Sequence, residues 1–125
     1  MDRTLEKISG YEELIDLMQK AGIWFIGSFM IEFLKCYESK LRDKVIKREY
    51  IKNFCKQYSS CEDIDQTRNK INVAIRIIES GMVIKAMEVV LATNDKKVGC
   101  DESKYNAQYV LDKINSGEIM LPACK

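Results

Sequence analysis

Apolar residues recur at helical spacing in six stretches of the chain, separated by polar or glycine-bearing joints. Over residues 10–21, Leu14, Ile15, Leu17 and Met18 share one side. Ser9-x-x-Glu12 has the form of a capping box, and Gly22 suits the position just past a helix end. Residues 23–39 are apolar on far more than one stripe, through Trp24, Phe25, Ile26, Phe29, Met30, Phe33, Leu34 and Tyr37. A helix so covered belongs at the centre of a bundle, packed by the helices at 10–21, 43–58, 61–80 and 82–93. Periodicity alone leaves a buried strand over 23–31 open as the alternative.

Residues 43–58 repeat Ile46, Tyr50, Phe54 and Tyr58 at intervals of four, with Ile51 and Cys55 beside them. Leu41 and Val45 carry the apolar register across from the preceding segment, so one rod from 23 to 58 is also open. Residues 61–80 follow a second capping box, Ser59-x-x-Glu62. They present Ile64, Ile71, Ala74, Ile75 and Ile78 on one face and Asp65, Asn69, Asn72, Arg76 and Glu79 on the other. Gly81 should close this helix in a left-handed conformation and start a tight hairpin with 82–93, whose face is Val83, Met87, Val90 and Leu91. Residues 94–101 read as a loop, with Asp101 capping a last helix over 102–116. That helix should turn Tyr105, Tyr109, Val110 and Ile114 inward and end at Gly117. Residues 118–125, which hold the only proline, Pro122, read as extended or frayed. The expectation is all-α: a single bundle of five to six helices in one domain spanning 1–125.

Composition adds bounds. A chain of 125 residues, 46 % hydrophobic and 31 % charged, can bury one core without metal or disulfide staples. The longest uncharged run, residues 21–31, is far short of the ~20 apolar residues a bilayer-spanning helix needs. The first residues lack a basic stretch followed by an apolar one. No membrane contact and a cytoplasmic location are expected. Cys36, Cys55, Cys61, Cys100 and Cys124 are odd in number and include no C-x-x-C pair, so reduced thiols are expected.

Charge changes the picture more. The chain is nearly neutral, at +1, yet residues 40–56 carry seven cations and two anions. Lys40, Lys44, Arg48, Lys52 and Lys56 follow one another by four residues, a ridge along one side of a helix. Such charge runs are commonly solvated faces. As a binding surface, this one would meet phosphates or an acidic protein.

Catalytic and metal chemistry is narrowed by composition. Histidine is absent, which removes the commonest general base and every histidine-containing nucleophile pair or metal site. Cys61 should lie near a helix start, where the dipole favours a thiolate, but Glu62 and Asp63 oppose that. The acidic clusters Glu12-Glu13, Glu62-Asp63-Asp65 and Asp101-Glu102 each open a helix and need no catalytic role. Trp24, Phe25, Phe29 and Phe33 read as core before they read as a ligand pocket. No catalytic residue, metal site or cofactor is expected.

The leading functional expectation is a non-enzymatic protein that binds a protein partner and self-associates, such as an adaptor, inhibitor or accessory factor of a phage or plasmid. Its candidate contacts are Lys40, Lys44, Lys47, Arg48, Lys52, Lys56, Arg68, Asn69, Asn72 and Arg76. The alternative is a nucleic-acid-binding module using 43–58 and the start of 61–80. Gln66, Arg68, Asn69 and Asn72 are side chains that read base edges. Against it, Glu62, Asp63 and Asp65 at that helix start would repel phosphate.

Overall fold

The computed structural model describes residues 10–58, 63–93 and 100–119. Those residues form six α-helices and no strand: α1 (Tyr11–Ala21), α2 (Ile23–Cys36), α3 (Lys44–Gln57), α4 (Ile64–Glu79), α5 (Val83–Ala92) and α6 (Cys100–Asn115). A π-helical turn, Tyr37–Leu41, continues α2. The all-α bundle expected from the sequence is therefore what forms, and 23–31 is helix rather than strand.

Gly10 caps α1 with its backbone alone. Ser9, the expected cap, lies outside the described residues, as do Ser59, Cys61 and Glu62. The second cap is instead Asp63, whose carboxylate accepts from the amides of Asp65 and Gln66. This start, three residues later than expected, puts Ile64 at the exposed first position of α4. Thr67 takes the inward place and donates its hydroxyl to the Asp63 carbonyl at 3.0 Å.

The rod from 23 to 58 does not form. Asp43 is extended and caps α3, accepting from the amides of Val45 and Ile46 at 2.9 and 3.0 Å. Leu41, in the π turn, is buried. Val45, beyond the break, is 67 % exposed, so the register does not carry across. Ile46 is exposed for the same reason, and the apolar positions of α3 turn inward only from Tyr50 onward.

At the end of α4 the Gly81 amide donates to the Ile78 carbonyl and the Met82 amide to Ile77. Gly81 sits at φ 70°, where a side chain would be strained, and the hairpin to α5 follows. The last helix starts at Cys100, so Asp101, expected just before it, lies in its first turn; residues 94–99 are outside the described set. Glu118 and Ile119, expected to fray, donate their amides to the Lys113 carbonyl. Residues 120–125 are outside the described set.

Ile26, Met30 and Phe33 on α2 are wholly buried. Their helix packs on α1, α4 and α5, and through aromatic rings on α3. Its most extensive neighbour is one the sequence did not suggest, α6. The expected inward face of α6 holds in part: Val110 is buried and Ile114 packs against the core, but Tyr105 is 72 % exposed and Tyr109 also faces out, and Ser103 and Ala107 take the inward places. The cause is the closeness of α2, where Gly27 lets the Ser103 side chain approach its backbone. Tyrosines do not fit that gap.

No single helix among the described residues is long and apolar enough to cross a membrane. Taken end to end, α1 and the α2 segment reach that apolarity, but they bend by 96° at Gly22.

Candidate functional site

Along α3 the ridge is in place. Lys44, Arg48, Lys52 and Lys56 are exposed, as is Lys40 in the π turn. Lys52 meets Glu49 at 3.7 Å, an exposed pair of little energetic weight. Arg48, Lys40 and Lys56 make no ion pair with any described residue. The opposite side of α3 holds Ile51 and Phe54 in the core, with Tyr50 and Tyr58 half-buried. Phe54 touches the rings of Phe25, Phe29, Phe33, Tyr50 and Tyr58, and these contacts fix which way the ridge points.

Lys47 departs from the ridge. It is half-buried, and its ammonium donates to Asn72 Oδ1 of α4 at 2.5 Å. Burial pushes its pKa down; Glu79 opposes that shift and Arg68 adds to it. Arg68 itself donates to Asp65 at 2.8 Å. Arg76 leans the other way, to Glu13 of α1 at 3.8 Å. Asn69 lines a groove between α1 and α4. The ten candidate residues thus fall into three groups: an outward ridge (40, 44, 48, 52, 56), a seam with α4 (47, 68, 72) and an α1 side (69, 76).

Two polar clusters behind the ridge were missed by sequence reasoning. Tyr37 donates to Glu79 at 2.6 Å, tying the π turn to α4. Glu32 accepts from Tyr50 at 3.1 Å and Tyr58 at 3.4 Å, and the Cys36 thiol, close to Tyr50, donates to the Phe33 carbonyl at 3.8 Å. Glu32 was the one visible signal, a carboxylate within a largely apolar helix that needs donors where it is covered. Burial raises the Cys36 thiol, the direction that suppresses thiolate chemistry. Among the described residues no group of three or more metal-ligating side chains comes together.

These clusters set an alkaline limit. Tyr37 and Tyr50 keep their protons above the ordinary 10.0, chiefly through burial, and Cys36 keeps its proton above 9.0 for the same reason. A proton held longer by the folded chain stabilises it fully below the ordinary pKa, and that contribution is lost as pH rises through the folded value. Lys47 has the opposite sign: its burial penalty lifts as pH climbs toward 10.5. Three groups oppose one, so the urea midpoint should fall from about pH 9 upward, and Tyr50→Phe should lessen the fall. A midpoint unchanged to about pH 11 would contradict the buried network.

No protein-family model matches this chain, and no curated protein or solved structure matches it.

Proposed function

We propose that this chain is a non-enzymatic interaction protein whose α3–α4 face docks on a protein partner. An adaptor, inhibitor or accessory factor of a phage or plasmid would act in this way. The supporting observation is the Lys47–Asn72 bond, which sets the basic ridge of α3 beside the polar stripe of α4. Val45, exposed between Lys44 and Arg48, adds apolar contact to a surface of cations. Asp63 and Asp65 at the start of α4 disfavour phosphate and favour a protein over a nucleic acid. Self-association belongs to the same reading.

Affinity capture from the native host tests it. Arg48→Glu with Lys52→Glu should cut capture of the partner by about tenfold or more while leaving the helical spectrum unchanged. Both side chains are exposed, so the fold should tolerate the change. Capture that survives the double change removes the ridge from the reading. Binding to a short labelled duplex with a steep salt dependence would replace it with the nucleic-acid alternative.

A further inference from the structure

A groove of about 450 Å³ runs between α1 and α4. Leu17, Ala21 and Val73 give it an aliphatic lining; Lys20, Gln66, Asn69 and Lys70 give it two ammonium groups and two amides, with no carboxylate. Lys20 pairs with Asp16 of its own helix at 3.1 Å, and both side chains are more than half exposed. A better-placed acceptor displaces such a pair at little cost. Lys70 is half-buried and makes no ion pair with any described residue. Its Nζ rests 5.3 Å from the centroid of the Phe25 ring. An ammonium that rests on a ring and has no carboxylate beside it among the described residues leaves its open side for an anion.

We propose that this groove seats an acidic, amphipathic segment of the partner protein. A large aliphatic side chain of that segment lies against Leu17, Ala21 and Val73. Its carboxylates meet Lys20 and Lys70, and Gln66 and Asn69 bond its remaining polar groups. The groove is open rather than enclosed, so an extended or helical segment enters without unfolding the bundle. The lining offers no ring on which a base could stack, since the face of Phe25 is taken by Lys70. This assignment rests on the protein-docking reading above and adds the chemistry of the partner. Through Asn69 and Asn72, α4 then serves the groove on one side and the α3 seam on the other.

The test is a titration of the isotope-labelled protein followed by nuclear magnetic resonance. The probe is a short blocked peptide of glutamates around a central leucine pair. One control replaces its glutamates with lysines, the other its leucines with serines. The first peptide alone should shift the amide resonances of Leu17, Ala21, Asn69 and Val73. Lys70→Glu should weaken it by about tenfold or more, and so should Gln66→Trp, which fills the groove from an exposed position. Equal binding of the serine control, shifts confined to α3, or unchanged affinity in both variants overturns the assignment. No binding of the first peptide overturns it too. If the groove results fail while Arg48→Glu with Lys52→Glu still blocks capture, the docking reading stands and the groove alone falls. If the groove results hold and that double change leaves capture intact, the ridge falls instead.

Discussion

Replacing Gly27 with alanine should destabilise the protein by about 2 kcal/mol or more in urea denaturation. The added Cβ would sit 2.0 Å from Ser103 Oγ, 2.8 Å from Val90 Cγ1 and 3.2 Å from the Ser103 carbonyl. The hydroxyl can rotate away. The valine methyl and the carbonyl leave little room even then, so α6 has to move off α2. That movement outweighs the ~1 kcal/mol that alanine gains over glycine inside a helix. Ser103→Ala in the same chain should recover part of the loss, because it removes the nearest atom, a buried hydroxyl with no partner among the described residues. A Gly27→Ala protein as stable as the parent, or more so, would mean that α2 and α6 are not this close.

Phe54→Ala should cost about 3–5 kcal/mol, a large share of the ~5–15 kcal/mol that holds a typical domain together. Its ring is 3 % exposed and touches five other aromatic rings, the nearest being Tyr58 with centroids 4.6 Å apart. Aromatic pairs add stabilisation beyond the area they bury, so Phe54→Leu should lose roughly half as much. The larger consequence is positional. Without Phe54, α3 loses its anchor against Phe25, Phe29 and Phe33, and partner capture should weaken even though every cation of the ridge remains. Capture at the parental level from a folded Phe54→Ala protein would show that the ridge needs no such support.

Much of this fold is legible in the sequence because it is local. Gly22 and Gly81 mark helix ends, and the interval of four from Lys44 to Lys56 puts those cations on one exposed side. The failures come where a neighbour distant in sequence decides. Tyr105 and Tyr109 outweigh Ser103 and Ala107 in any hydrophobic pattern, yet Gly27 makes the small residues the inward ones. The π turn and the Asp43 cap break the register that the spacing of Leu41 and Val45 implies. The site shows the same division. Exposure of the ridge follows from spacing, but the turn of Lys47 toward Asn72 and the groove beside Lys70 exist only once helices have packed.

The seam at Lys47 bears on how recognition would feel to a ligand. A basic helix with Phe54 buried among core rings and Lys47 bonded to α4 is held against the bundle rather than hung from it like a tethered arm. Docking on it would forfeit little motional freedom, so complementarity of shape would set the outcome before any induced rearrangement.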